Sequence, residues 1–169
     1  MNSKFLSIDE LKKLNFKKIG QEVKISRNVT IIGEENISLG SNIRIDDYCI
    51  VSANNGYLEI GNDVHVGGQS YLGCAGTLIL GNNINIAQGV KIYTKINDYL
   101  FFDGNHKKFI LGKIYIEDQV IIGSNSVLIG KCTIGEGATV GALSFVKSDL
   151  KPWSVYAGNP IKLIKDRQR

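Results

Sequence analysis

The second half of the chain places an aliphatic residue at every sixth position. The members of this series are Ile116, Ile122, Leu128, Ile134, Val140 and Val146. Four positions after the first five come small or β-branched residues: Val120, Ser126, Cys132, Ala138 and Ser144. An α-helix repeats about every 3.6 residues and an ordinary strand about every 2, so a period of six predicts neither. It predicts stacked coils of short strands and turns, with the aliphatic side chains pointing inward.

The same spacing recurs in three earlier triplets: Leu39, Ile45 and Val51; Ile60, Val66 and Leu72; Leu80, Ile86 and Ile92. The sequence predicts a small loop at residues 52–57 and a longer insertion at residues 94–112, both of which interrupt the repeat. With these interruptions, the predicted coils extend over residues 23–150. The chain has 19 Gly and only 2 Pro, which is typical of frequent tight turns. An antiparallel sandwich of short strands is the alternative fold, but nothing in a sandwich enforces a six-residue period.

The two ends of the chain follow different patterns. Residues 7–16 predict a short amphipathic helix, with Ser7 as N-cap and Glu10 completing a capping box. Pro152 and Pro160 predict turns after the repeat stops near Lys147, and residues 161–169 are interpreted as a basic C-terminal helix. The predicted organisation is therefore an N-terminal helix and lead-in (1–22), the coils (23–150) and a tail with a helix (151–169).

Charge and cysteine content restrict the function only loosely. The net charge of +4 suits a small anionic ligand without requiring a nucleic acid. The first residues do not form a signal peptide and no run approaches membrane-spanning length, so we expect no membrane insertion. Cys49, Cys74 and Cys132 cannot all pair and show no Cys-x-x-Cys spacing, which predicts reduced thiols in a cytoplasmic protein.

The repeat, the insertion at 94–112 and the closing segment Ala157-Gly158-Asn159-Pro160 resemble the left-handed parallel β-helix acyltransferases, particularly sugar acetyltransferases. The resemblance covers about residues 23 to 169. It implies an all-β left-handed parallel β-helix and a homotrimer with active sites between subunits. It also implies transfer of an acetyl group from acetyl-CoA to a hydroxyl or amine of a sugar or nucleotide sugar. Acceptor identity, O- or N-transfer and acetyl or longer acyl groups stay open.

The resemblance also implies which residues contact acetyl-CoA. Ser124 and Ala142 would border the pantetheine arm, Lys147 and Ser148 would follow on the next coil, and Lys162 and Lys165 would meet the nucleotide end. Basic side chains suit the phosphates of coenzyme A. The alternative for Lys162 and Lys165 is a solvated end of the predicted C-terminal helix. Trp153 would either cover the adenine or anchor the tail.

Transfer to a hydroxyl or an amine benefits from a general base, and histidine is the usual one near neutral pH. The chain has two, His65 and His106. His65 lies in a segment resembling the Asp-x-Val-His-Ile of nucleotide-aminosugar N-acetyltransferases, whose His lines the active-site cleft. His106 lies in the long insertion, within reach of a neighbouring subunit. We choose His65 as the base and keep His106 as the second catalytic candidate.

Four polar residues are candidates for binding the acceptor: Asp46, Asp47, Asn97 and Asp98. Asp46 and Asp47 interrupt the repeat with adjacent carboxylates, and could equally be solvated turn residues. Asn97, followed by Asp98, stands where galactoside-type enzymes carry the catalytic His. The acceptor-binding carboxylate and amide of those enzymes fall on Ala75 and Gly67, so a galactoside acceptor is not supported.

Two other functions would be compatible with the same fold. A γ-class carbonic anhydrase needs three His for each zinc, and this chain has two, so we expect no required metal. A non-catalytic structural or regulatory β-helix would need neither the Gly-Asn-Pro segment nor the basic tail. Because Cys49 and Cys132 fall within the repeat and Cys74 has no His near it in sequence, we expect direct transfer without a covalent enzyme intermediate.

Overall fold

The computed structural model describes residues 4–98, 100 and 108–168. Over these residues the chain winds into coils that place short strands in three parallel sheets. Strands are numbered in chain order. Sheet 1 holds β1 (Lys18–Ile19), β4 (Ile37–Leu39), β7 (Tyr57–Ile60), β10 (Thr77–Leu80), β15 (Lys113–Ile116) and β18 (Cys132–Ile134).

Sheet 2 holds β2 (Val23–Ile25), β5 (Ile43–Ile45), β8 (Val64–Val66), β11 (Ile84–Ile86), β16 (Ile121–Ile122), β19 (Thr139–Val140), β21 (Ser154–Ala157) and β22 (Lys162–Asp166). Sheet 3 holds β3 (Thr30–Ile32), β6 (Ile50–Ser52), β9 (Tyr71–Gly73), β12 (Lys91–Tyr93), β17 (Val127–Ile129) and β20 (Phe145–Val146). The coils therefore have three edges. The first edge joins sheet 1 to sheet 2, the second joins sheet 2 to sheet 3, and the third leads back to sheet 1.

The six-residue period is confirmed as the period of the core. Every member of the series from Ile116 to Val146 is at most 1% exposed. The small residues between them, from Val120 to Ser144, are also buried, because they fit where the chain bends around an edge. One coil is too thin to bury its own apolar face, so the core forms only when coils stack.

The first edge is stabilised by a ladder of side chains that bind the backbone of the preceding coil. Asn62 Oδ1 accepts a hydrogen bond from the Ser41 N–H at 2.8 Å. Asn82 Oδ1 accepts from the Asn62 N–H at 2.9 Å, and Asp118 Oδ1 from the Asn82 N–H at 2.8 Å. The turns therefore have their exposed donors satisfied from coil to coil, which explains the recurring Asn and Asp at this edge.

The predicted N-terminal helix is present as α1 (Ile8–Lys13). Its capping box is formed: the Ser7 N–H donates to Glu10 Oε2 at 2.7 Å, and the Glu10 N–H donates to Ser7 Oγ at 3.3 Å. Glu10 also accepts two hydrogen bonds from Arg27, at 2.6 and 2.8 Å. Leu11 is buried against the coils, and the flanking Leu6 and Leu14 also pack against the core, so apolar contacts and an ion pair fix α1 in place.

The pair of Glu10 and Arg27 predicts how α1 responds to pH. The hydrogen bonds from Arg27, followed by those from Ser7, lower the pKa of Glu10 to about 2. Since this pKa is depressed, the stabilisation is fully present above the ordinary carboxyl pKa and is lost only as the pH falls through about 2. At pH 7 we expect Glu10→Gln to accelerate hydrogen exchange of the α1 amides several-fold, with Asp9→Asn as the unaffected control in the same turn. Equal exchange in the two variants would contradict this.

The long insertion begins and ends as an antiparallel hairpin on the third edge. Its strands are β13 (Lys95–Asn97) and β14 (Phe109–Leu111), and the Lys95 ammonium lies 3.6 Å from the centre of the Phe109 ring. Residues 99 and 101–107 lie outside the described part of the chain, and so does the candidate base His106.

The predicted C-terminal helix is wrong. Residues Lys162–Asp166 form β22, which pairs antiparallel with β21, itself added to sheet 2 after β19. The last coil of a β-helix leaves backbone donors and acceptors without a partner strand, and an extended tail satisfies them better than an isolated short helix could.

Candidate functional site

The second edge brings several of the predicted site residues onto one line. Backbone hydrogen bonds connect its successive turns: Asp47 O accepts from the Gln69 N–H at 2.9 Å, and Ser124 O accepts from the Leu143 N–H at 2.9 Å. Between these two lie the turns of Gly68 and Gln88, bonded in the same manner. With strands about 4.8 Å apart, Asp47 and Ser124 are separated by three coils, or about 14 Å along the edge. The candidates for acceptor and pantetheine binding thus share one continuous edge, where Ala142 follows one coil beyond Ser124.

His65 lies beside this edge in a hydrogen-bonded chain of three side chains. Its Nε2 is 2.8 Å from Asp46 Oδ2, and Arg44 Nε donates to Asp46 Oδ1 at 2.8 Å. Arg44 and His65 are register partners on the adjacent strands β5 and β8. An ionised carboxylate only accepts hydrogen bonds, so Nε2 of a neutral His65 carries the hydrogen and Nδ1 is the basic nitrogen.

Asp46 stays ionised at neutral pH. Partial burial would by itself raise the pKa of Asp46, but the hydrogen bonds with His65 and Arg44, and their charges, outweigh burial and lower that pKa below its ordinary value. This carboxylate therefore holds the imidazole and could stabilise its protonated form. Asp46 is engaged by His65 and Arg44, which the sequence did not predict.

Asp47, the neighbouring acceptor candidate, is held by the N-terminal segment. Lys4 Nζ lies 2.7 Å from Asp47 Oδ2, the Ser26 hydroxyl donates to Oδ1, and Asn28 Nδ2 donates at 3.3 Å. The hydrogen bond with Lys4, followed by that with Ser26, lowers the pKa of Asp47. Neither carboxylate at this turn is therefore a purely solvated turn residue.

An open pocket of about 380 Å³ lies on the second edge around these carboxylates. Its lining consists of Lys4, Asp46, Asp47, Tyr48, Gly68, Gln69 and Gln88. Of these, sequence reasoning identified only the two carboxylates. Aligning the coils at their spacing of about 20 residues would have placed Arg44 beside His65, whereas no sequence signal connects Lys4 with Asp47. A larger groove of about 570 Å³ between α1 and the first coil contains none of the predicted site residues.

The other acceptor candidates lie on a different edge of the same chain. Asn97 and Asp98 are at the end of strand β13, on the third edge. Asp98 Oδ2 is 4.0 Å from Lys108 Nζ, and the Asp98 N–H donates to Lys108 O at 2.9 Å. A single chain does not bring them to His65.

The remaining candidates for binding coenzyme A fall into two groups. Lys147 and Ser148 are exposed on the third edge, away from Ser124 and Ala142. Lys162 and Lys165 are exposed on β22. Strand register puts Lys165 in the same outward column of sheet 2 as His65, five strands away, at about 24 Å.

Trp153 is in contact with the coil surface. A Cβ on Gly137 would meet its ring at 2.7 Å, and the Arg167 guanidinium lies 5.9 Å from the ring centre while donating to Gly137 O at 2.8 Å. These contacts favour the interpretation of Trp153 as an anchor of the tail.

The three cysteines are unsuited to covalent catalysis. All are buried and unpaired, and burial raises the pKa of Cys74 and of Cys132 to about 12, with Asp149 adding to the effect at Cys132. Burial also raises the pKa of Cys49. Since the thiolate is the nucleophile, we expect iodoacetamide to leave the native protein unmodified at pH 7 and to modify all three thiols after unfolding. Cys74→Ala should retain transfer activity; rapid native alkylation with loss of activity would contradict this.

Among the described residues, no group of three His, Cys, Asp or Glu side chains is placed to hold a metal ion. No helix in the described ranges is long and apolar enough to cross a membrane.

Comparisons with known proteins agree with this architecture. The family model described as bacterial transferase hexapeptide (six repeats) matches residues 113–148. The dTDP-4-amino-4,6-dideoxy-D-glucose acyltransferase of Escherichia coli is 34% identical over 175 residues, covering 98% of this chain and 90% of the relative. AntD, an N-acyltransferase from Bacillus cereus solved with dTDP and 3-hydroxybutyryl-CoA, superposes with a TM-score of 0.91 at 35% identity, over 100% of this chain and 92% of AntD.

A second structure, of an AntD variant with dTDP-4-amino-4,6-dideoxyglucose and coenzyme A, gives a TM-score of 0.90 at 35% identity, over 100% of this chain and 93% of the variant. A maltose O-acetyltransferase from Clostridium difficile gives 0.66 at 23% identity, over 95% of this chain and 74% of that enzyme, and shares the fold alone. The similarity to the E. coli and B. cereus enzymes extends over nearly the whole of each chain. The chain therefore belongs to the hexapeptide-repeat acyltransferases, enzymes of the left-handed parallel β-helix fold that take their acyl group from acyl-CoA.

Proposed function

We propose that this enzyme transfers an acyl group from acyl-CoA to the amino group of a dTDP-linked amino sugar. The observation that carries the proposal is similarity along the whole chain to an acyltransferase named for such a sugar and to an N-acyltransferase solved with dTDP. O-transfer to a simple sugar has weaker support, because the maltose enzyme shares only the fold. The three unpaired cysteines suit the reducing cytoplasm, where we place the enzyme.

The donor site follows the second edge and the outward-facing column of sheet 2 that runs from His65 to Lys165. Ser124 and Ala142 present backbone groups that can pair with the amide bonds of the pantetheine arm. Lys162 and Lys165, at the far end, would contact the phosphates of coenzyme A. The distance of about 24 Å between the level of Lys165 and that of His65 suits an extended donor with its thioester near the imidazole.

We further propose that the enzyme is a homotrimer. The outward surface of sheet 3 carries partly exposed apolar side chains, including Ile32, Ile50 and Tyr93, which are 43%, 39% and 37% exposed. Such a patch is typical of a protein interface. A neighbouring subunit would also supply the third-edge residues Asn97, Asp98, Lys147 and Ser148 to a site that each chain forms only in part.

The chemistry forms one C–N bond, breaks one C–S bond and moves one proton from the amine nitrogen to the coenzyme A sulfur by way of His65. The amine lone pair attacks the thioester carbonyl carbon, the C–N bond forms, and the C–S bond breaks to release the coenzyme A thiolate. His65 Nδ1 takes the proton from the nitrogen, and Asp46 stabilises the resulting imidazolium through Nε2. An amine needs less help from a base than a hydroxyl, so the choice of N-transfer rests on the similarity to N-acyltransferases and not on this base.

The donor site is tested by calorimetric titration with acetyl-CoA. We expect the double variant Lys162→Ala/Lys165→Ala to lose at least tenfold in affinity, because two charge-assisted contacts to phosphate are removed. Lys13→Ala, an exposed lysine on α1 at the opposite end of the coils from Lys165, is the matched control. If the lysines bind the 3′-phosphate, the loss of affinity in the double variant should be smaller with dephospho-CoA, which lacks that phosphate. An unchanged affinity of the double variant for acetyl-CoA would contradict the assignment.

A further inference from the structure

We propose that the ring of Tyr48 is the surface on which the nucleobase of the acceptor stacks. This inference rests on the proposed function, since it assigns the part of the site that would bind the nucleotide of a dTDP-linked sugar. Tyr48 has no role in the chemistry described above, and it follows Asp46 and Asp47 directly in the chain.

The backbone at Tyr48 shows that this side chain is not there for the turn. Its φ is 62°, in the left-handed region, which bulky residues seldom occupy. The equivalent positions of the four later coils, Gln69, Gly89, Asn125 and Leu143, also have a positive φ, so the conformation belongs to the turn and admits several residue types. The turn therefore does not require a tyrosine, and the role of the ring must be sought in what it faces.

The ring is exposed and belongs to the wall of a pocket. Tyr48 is 66% exposed, although an aromatic ring of this size contributes most when it is covered. It lines the pocket of about 380 Å³ on the second edge together with the exposed amides of Gln69 and Gln88. A base stacked on the ring would cover its apolar face, and an amide beside it can both donate to and accept from the imide edge of a pyrimidine.

The charges around the pocket are compatible with a nucleotide. Both carboxylates already have cationic partners, Asp47 in Lys4 and Asp46 in Arg44. The pocket therefore does not present unpaired negative charge to a diphosphate. His65 is the second partner of the Asp46 carboxylate, after Arg44. The base candidate therefore contacts the turn that carries Tyr48, as expected if the amino sugar and its nucleotide occupy neighbouring positions.

The proposal is tested by titrating the full-length enzyme with dTDP. We expect Tyr48→Phe, which keeps the ring, to bind within about twofold of the wild type, and Tyr48→Asn, which removes it, to lose at least tenfold. Asn suits a positive φ, so the thermal midpoint of Tyr48→Asn should not fall. The KM for acyl-CoA should stay the same in both variants, and so should turnover of the amino-sugar 1-phosphate, which lacks the base.

Three results would overturn the proposal. The first is wild-type affinity of Tyr48→Asn for dTDP. The second is a change of oligomeric state in Tyr48→Asn by light scattering, which would assign the ring to a contact between subunits. The third is a wild-type enzyme that does not bind dTDP but acylates other amino sugars, which would overturn the proposed acceptor as well and is thereby distinguished from the first two.

Discussion

Replacing His65 by asparagine should lower kcat for acyl transfer by about 100-fold at pH 7.5, the lower end of what a positioned general base contributes. The protein itself orients the imidazole, since Asp46 binds Nε2 at 2.8 Å and Arg44 fixes the other carboxylate oxygen. We choose the lower end because a neutral amine attacks without first losing a proton, and its nitrogen becomes acidic only once the new bond has formed. Steady-state kinetics with saturating acyl-CoA measure the effect, and the KM for the donor should stay within about twofold.

Two further variants separate the role of the base from that of its support. Asp46→Asn keeps the size of the side chain but can present an amide N–H to Nε2, which would favour the wrong tautomer of the ring, so we expect an intermediate loss of kcat. Glu59→Ala, an exposed outward position on strand β7 of sheet 1, is the matched control and should be neutral. If His65→Asn keeps kcat within twofold of the wild type, the proton leaves by another route, such as the departing thiolate, and His65 is not the base.

The second large effect concerns stability. Ile86→Ala should lower the free energy of unfolding by about 2–5 kcal/mol, the usual cost of truncating a buried aliphatic side chain. Ile86 is 0% exposed and belongs to the stack between Val66 and Ile122 in sheet 2. A cavity there weakens contacts with the coils on both sides. Denaturant unfolding at a fixed protein concentration measures the change, because oligomerisation would otherwise add to the apparent stability.

Asn85→Ala serves as the control for the stability prediction. Asn85 precedes Ile86 on the same strand but faces outward and is exposed, so its truncation should change the unfolding free energy by less than about 0.5 kcal/mol. Equal effects of the two variants would mean that the six-residue period does not define the core.

The period of six was sufficient to predict the coils, because it is the direct consequence of stacking one inward residue per strand. Ile122 and Val140 occupy the predicted inward positions with no exposed surface. The capping box of Ser7 and Glu10 was also predicted, since it depends only on residues three positions apart. Local rules and strict periodicity are visible in a single sequence.

The tail shows where such rules fail. The segment from Lys162 to Asp166 has no strong helix start, yet its basic composition resembles a helix end. Its strand is determined by the unpaired edge beside β21, which no local pattern reveals. The contacts between coils in the site are also invisible to local patterns. Lys4 and Asp47 are 43 positions apart in the sequence, and only the winding of the chain brings them into contact.

The central claim is N-acylation of a nucleotide-linked amino sugar, and one measurement tests it most directly. The enzyme is incubated with acetyl-CoA and, separately, 3-hydroxybutyryl-CoA, in the presence of either dTDP-4-amino-4,6-dideoxyglucose or dTDP-glucose, and the products are analysed by mass spectrometry. We expect an amide product and equimolar free coenzyme A with the amino sugar, from at least one donor, and no product with dTDP-glucose. Acylation of dTDP-glucose, or no acylation of the amino sugar with either donor, would contradict the account.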